Sequence, residues 1–345
     1  WDPCTAPGGP FLETWQAVPY RFPEALLEDP YRVCDAAVGP RPRPSASLAE
    51  ESRVLARFDD IDKLAIIPSS SAPRASAAQV RAVEKKVHEE RMVLDERGIN
   101  FLLLPLEGTS QRIPVGYQLQ DVFLKPAEGM RGCTDDLYQM YNQFGVTPQH
   151  ASCTPVGRLR KLLEFSSFRT RLYCVDRTLA GQRRVDEAYR MTSEERVRNC
   201  RRGGFWAQPV FGAFAGLAMG NLNAVEWGDS SHELVLARRG LQQDERTLRG
   251  RRPVPQTSVM EGKILDDRAV LARVAFDPRS GRLGSPPAEG REVVRETELA
   301  YVASGLRREV SKSVRWAPDF TFMGGEVCGR AGRCGAPEER RCVLS

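Results

Sequence analysis

GGFWAQPVFGAFAGLAMGNLNAV, Gly203 to Val225, is the longest uncharged run in a chain of 345 residues of which 28% are charged. Within it Gly212, Gly216 and Gly220 recur every fourth residue, and Ala213 and Ala215 add to the small-residue content. On a helix, that spacing opens a groove that lets a second backbone approach closely. With Pro209 in the first turn, the pattern predicts a helix from Pro209 to Gly220 that docks through its three glycines. Arg196, Arg198, Arg201 and Arg202 precede the run and Glu226 and Asp229 follow it, an asymmetry that suits a membrane segment. About a dozen residues, however, fall short of the roughly 20 that a span needs, and Gln208, Asn221 and Asn223 are poor hydrocarbon residues. The run therefore reads as a buried or docked helix. A bulky residue at Gly216 is expected to spare the soluble fold and break the docking.

Outward from this run, the expected class is α+β. An N-terminal extended Pro-rich docking arm occupies 1–45, a small helical α+β unit 46–150, and a basic connecting segment 151–202. The central glycine-rich apolar helix lies in 203–225, an antiparallel β-sheet or barrel in 226–320, and a Gly/Cys-rich tail in 321–345. The arm holds Trp15, Tyr20, Phe22 and Tyr31 as anchors, and its alternating prolines favour an extended backbone. Ser47 with Glu50 forms a capping box, so a helix carrying Val54, Leu55, Phe58, Ile61 and Ala65 is expected up to Pro68. A second helix is read from Ser76 to Gly98 through Val80, Val83, Val87 and Leu94. Strands are expected at Ile99 to Leu106 and around Val115, Tyr117 and Leu119, and a short helix at Thr134 to Gly145. After Trp227 the period changes to two. Leu234 to Ala237, Ser258 to Leu265, Val270 to Phe276, Val293 to Val302 and Val310 to Trp316 read as strands, with turns at Asp266-Asp267, Asp277-Pro278 and Ser304-Gly305.

Charge is the main functional clue. The chain carries 50 Lys and Arg against 45 Asp and Glu, a net charge of +5, which implies no overall polycation. The excess gathers between Arg158 and Arg202, where Arg158, Arg160, Lys161, Arg169, Arg171, Arg183, Arg184, Arg201 and Arg202 form a candidate basic patch beside Phe165, Phe168 and Tyr173. Arginines interleaved with aromatic rings can grip phosphates and stack on bases. They can equally face solvent or dock an acidic protein. Leu159, Leu162, Leu163 and Phe165 read as helix there, and Phe168 to Val175 as strand.

Familiar catalytic signatures are absent: there is no Gly-rich dinucleotide loop, Walker lysine loop, nucleophile elbow, HExxH or EF-hand loop. His88 has no second histidine to complete a metalloprotease motif. The nine cysteines are scattered without a CxxC pair, so no metal centre is expected. The adjacent carboxylates Asp59-Asp60, Asp135-Asp136 and Asp266-Asp267 read as cap and turn formers, because neighbours in sequence rarely converge on one substrate. Cys342-Val343-Leu344-Ser345 fits a prenylation box, making Cys342 a candidate lipidation site.

No catalytic residue is therefore expected, and the balance falls against an enzyme. The leading expectation is a non-catalytic accessory subunit of a large respiratory or photosynthetic assembly. It would be membrane-associated in a mitochondrion or plastid, with other protein subunits and a membrane surface as partners. A start at Trp1 is expected to reflect a removed targeting segment. The alternatives are an RNA-contacting structural protein of an organellar ribosome and a β-barrel that carries a lipid or pigment. No other cofactor is expected.

Overall fold

The computed structural model describes residues 46–71, 78–86, 89–100, 106, 108–146, 151, 155–173 and 178–336. The docking arm, His88, most of the strand expected before Leu106, and Cys342 lie outside the described residues.

Helix α1 (Leu48–Asp60) starts where the sequence predicts, with both halves of the Ser47/Glu50 capping box formed. It ends earlier than predicted, and Leu64–Pro68 extends as strand β1. Strands β2 (Gln79–Lys86) and β3 (Glu89–Asp95) pair as a hairpin where one helix is expected. The short helix α2 (Arg97–Asn100) follows. Strand β4 (Glu128–Asp136), the short helix α3 (Met140–Gln143) and strand β5 (Pro155–Lys161) lead to helices α4 (Leu179–Arg190) and α5 (Ser193–Arg201). Strand β6 (Pro209–Phe214) precedes helix α6 (Ala224–Ala237). Strands β7 (Val259–Ile264), β8 (Asp267–Asp277) and β9 (Arg282–Leu283) lead to helix α7 (Ala288–Ser304), capped by left-handed Gly305. Strands β10 (Val314–Ala317), β11 (Asp319–Phe322), β12 (Gly325–Cys328) and β13 (Arg333–Gly335) complete the described chain.

The architecture is mixed α+β with antiparallel sheets. Strands β1, β6 and β5 form one sheet, with β6 in the middle. Strands β10, β4, β8 and β7 form a second, open sheet, so the expected barrel is not closed. A third sheet runs β11, β12, β13.

The second sheet is covered on both faces. Cys133, Val259 and Val270 point to a core shared with Leu236 of α6 and Tyr301 of α7. Met130, Met260 and Leu271 point the other way, towards Phe320, Phe322 and Val327. Gly132 and Gly262 make that second contact possible: a Cβ at either would meet the ring of Phe320 or Phe322 at 2.6 Å. A third core joins Leu55 and Phe58 of α1 to Ile66, Val156, Val210 and Phe214 of the first sheet. Each such side chain contributes about 1.5–3 kcal/mol on burial.

The opening stretch is the main correction. Pro209 to Phe214 is a central strand and Gly216 to Gly220 belongs to the loop after it, so no glycine-faced helix exists. The three glycines do mark close approaches, each to a different part of the same chain. A Cβ at Gly212 would lie 2.5 Å from Leu55, one at Gly216 2.6 Å from the Phe214 ring, and one at Gly220 1.7 Å from the Leu94 carbonyl oxygen. Bulk at Gly216 therefore strains the fold itself.

Other differences follow similar lines. Leu234 to Ala237 and Val293 to Val302 lie in helices α6 and α7, not strands. Gly116–Asp121 is a 3-10 turn, and Thr134 to Asp136 ends strand β4 before the helix begins. Leu159 sits in β5 and Leu162–Phe165 forms a 3-10 turn, while among the described residues of the strand expected after Phe168 there is one bridge, Leu172 to Ile66.

Candidate functional site

Two aspartate pairs that look local in sequence meet across β4 and β8. In the antiparallel register Asp136 lies directly opposite Asp267, and Asp135 lies opposite Arg268. Side chains alternate faces along a strand and directly opposed residues share a face, so Asp136 and Asp267 face each other while Asp135 turns away. Asp135 is buried and receives Arg308 at 3.0 Å, Arg315 at 2.8 Å and the Ser313 hydroxyl at 2.8 Å. It is a structural ion-pair centre. Asp136 instead receives Lys312 Nζ at 2.5 Å.

Asp266 completes the group from the two-residue turn between β7 and β8, where Ile264 pairs with Asp267. Its carbonyl accepts the Leu137 N–H at 2.9 Å, which ties the turn to the end of β4. Desolvation, then Asp266, then Asp136, push the Asp267 carboxyl up to about 6, against the opposing pull of Lys312. Burial first, then Asp266 and Asp229, push the nearby Tyr141 phenol up to about 12. Asp136 holds Lys312 above the ordinary lysine range. Negative charge is thus concentrated where the two strands end, with one lysine against it.

Among the described residues no three His, Cys, Asp or Glu side chains form a group ready to hold a metal ion by themselves. Mg²⁺ rarely needs such a cage, since it commonly binds through one or two carboxylates and the phosphates of its substrate.

The basic patch resolves into two sets. Arg158 and Arg160 pair with Glu51, Arg160 also with Glu164, Arg169 with Asp59 and Asp62, and Arg171 with Asp186. Arg160 is itself buried. These cations stabilise the packing of β5 and its neighbours on α1 and α4. Lys161, Arg183, Arg184, Arg201 and Arg202 are exposed, and among the described residues they make no ion pair. Cys328 and Cys334 lie opposite Arg333 and Val327, hence on different faces of their sheet, and with Cys133 and Cys200 they are free thiols.

Sequence reasoning missed the aspartate group because it weighed each pair alone. Asp266-Asp267 was legible as the turn after Ser258 to Leu265, but Asp135-Asp136 was read at the start of a helix, so nothing in the sequence brought the two pairs together.

No family model matches the chain, and no curated protein matches it. Among solved structures, the foamy viral protease-reverse transcriptase with an RNA/DNA hybrid aligns at 13% identity and a TM-score of 0.48, covering 89% of this chain and 30% of that one. The same viral protein with dsDNA aligns at 13% identity and a TM-score of 0.46, covering 89% and 46%. A dRH form with ds DNA aligns at 12% and 0.46, covering 89% and 39%. The chain spans less than half the length of each.

The accessory-subunit expectation is corrected by these findings. Its docking helix is a sheet strand and a loop, and among the described residues no helix is long and apolar enough to cross a membrane. The lipid- or pigment-carrying alternative loses its closed barrel, because the second sheet is open.

Proposed function

We propose that the chain carries a divalent-cation-dependent phosphoryl-transfer site acting on nucleic acid, centred on Asp136, Asp266 and Asp267. The carrying observation is the register that sets Asp136 directly opposite Asp267, with Asp266 in the adjoining turn. Like charges held together favour a cation, and carboxylate oxygens are the donors that hard divalent ions prefer. The ammonium of Lys312 already rests on Asp136. Asp136 and Asp267 would hold such an ion, which when bound neutralises developing charge on a phosphoryl group and activates an attacking oxygen. Lys312 remains beside them as a second contact for a phosphate. Exposed arginines on α4 and α5 would add phosphodiester contacts that a small phosphate ester cannot make.

The purified full chain tests this reading with a labelled primed duplex, nucleoside triphosphates and either Mg²⁺ or Mn²⁺. The expected result is cation-dependent lengthening or shortening of the labelled strand, falling at least 100-fold in Asp267→Asn and in Asp136→Asn. A wild-type chain that binds no Mn²⁺ by calorimetry and leaves the duplex unchanged would overturn it.

A further inference from the structure

The turn that presents Asp266 and Asp267 begins with Leu265 in the left-handed region, at φ 48°. Such turns ordinarily use Gly, Asn or Asp, and a left-handed leucine persists only where its surroundings hold it. Here both of its backbone polar groups are held by α6. The Leu265 N–H donates to Asp229 Oδ1 at 3.3 Å, and the Leu265 carbonyl accepts from His232 Nδ1 at 2.5 Å. A carbonyl can only accept, so Nδ1 carries the proton, and Nε2 accepts the Tyr301 hydroxyl of α7 at 2.8 Å. Lys263 of β7 adds an ion pair to Asp229 at 2.6 Å and donates to its carbonyl at 3.0 Å. His232, Asp229 and Tyr301 are each at most 1% exposed. Burial, then Lys263, hold the imidazole down to about 3, so it stays neutral in this one tautomer.

We infer that His232, braced by Tyr301, is a positioning residue that sets the Leu265 turn and thereby aims Asp267 at the cation it would share with Asp136. This rests on the proposed cation site. The second partners of metal-binding groups typically affect metal affinity 10- to 100-fold when removed, and here the brace acts one residue further along the backbone.

Mn²⁺ binding to the full chain, followed by calorimetry, separates this role from simple packing. An asparagine amide stands near the Nδ1 position and a glutamine amide near Nε2, so His232→Asn keeps the bond to Leu265 while His232→Gln loses it. His232→Gln is expected to weaken Mn²⁺ binding about 10-fold or more, and His232→Asn to remain within about threefold of wild type. Equal weakening by both variants, or wild-type affinity in folded His232→Gln, would overturn the inference. Should His232→Gln fail to fold, ¹⁵N spectra of the wild-type histidines decide: the His232 Nδ1–H signal is expected to shift on Mg²⁺ addition, and an unmoved signal overturns the role. A wild-type chain without Mn²⁺ affinity overturns the cation site and this role together, whereas normal wild-type binding with an indifferent His232→Gln overturns this role alone.

Discussion

Glu96 and Glu226 are both buried: Glu96 is joined to Asn221 in the loop before α6, and Glu226 of α6 is joined to Thr109 and Ser110. Among the described residues Glu96 receives Asn221 Nδ2 alone, at 2.9 Å, and its Oε1 has no partner. Burial therefore pushes it up to about 7, with the Asn221 bond opposing. Glu226 receives the N–H groups of Thr109 at 2.8 Å and Ser110 at 3.0 Å and the Ser230 hydroxyl at 2.6 Å. Desolvation is its largest single influence, yet these bonds together hold it below the ordinary range. The two should give opposite pH signatures. Folded Glu96 keeps a proton that the unfolded chain releases above 4.5, so its contribution to stability falls as pH rises from there to about 7 and is constant beyond. At about 1.4 kcal/mol per pKa unit, the ceiling is about 3 kcal/mol. Glu96→Gln is accordingly expected to exceed wild type in urea unfolding near pH 8 and to match it near pH 4.5. A variant curve parallel to wild type across that window would refute the assignment. Glu226 contributes stability above its unfolded value and loses it as pH falls through its lower folded value. Glu226→Gln should cost about 1–3 kcal/mol near pH 8 and nothing at the acid end of the same titration.

At the level of elements, the three glycines of the opening stretch are close-contact sites, but with backbone and side chains of this same chain. Gly220→Ala places a methyl against the Leu94 carbonyl oxygen, a backbone atom that cannot swing aside. It should cost about 1–3 kcal/mol or more, whereas an alanine in a solvent-facing helix would be favourable by about 1 kcal/mol. Thermal melts of Gly220→Ala and Gly216→Leu read the sign, and an unchanged or raised midpoint in both would contradict the packing described. The recurrence of these glycines was legible in sequence, but the element that bore them was not. Spacing of four suits a helix, yet Val210 and Phe211 prefer a strand, and pairing with β1 and β5 decides in favour of the strand. The β2–β3 hairpin shows the same conflict, since Val80, Val83, Val87 and Leu94 fall at helical spacing while the valines favour extended backbone. In α7 the conflict runs in reverse. Val293, Val294 and Val302 suggest a strand, but Glu292 stands three residues before Arg295, at helical spacing, and pairs with it. The capping box of α1 and the turns at Asp266 and Asp277 were readable because their causes lie within a few residues. The aspartate group was not, because Asp136 and Asp267 are roughly 130 residues apart and meet only through the register of β4 on β8.

Across the whole molecule, the net charge of +5 understates how unevenly cations are available. Much of the basic segment is consumed internally: Glu51 binds Arg158 and Arg160, Asp59 binds Arg169, and Asp186 binds Arg171. What remains on the two helices includes the exposed Arg183 and Arg184 on α4 and Arg201 and Arg202 at the end of α5. Cations already engaged with carboxylates release few counterions on meeting a phosphate, so these four should carry a large share of the electrostatic part of nucleic-acid binding. Each phosphate neutralised contributes about 0.9 to the slope of log affinity against log salt on duplex DNA. Replacing all four by Ala should therefore flatten that slope by about 3 to 4. Replacing buried Arg160 should instead take one of its two arginines from buried Glu51, leaving Arg158 alone against it, and lower the melting temperature with little change in slope. Duplex retention measured between 50 and 300 mM salt would separate the two effects. An unchanged slope in the quadruple variant would mean that the nucleic acid, if bound, lies along another face, and would remove α4 and α5 from the proposed interface.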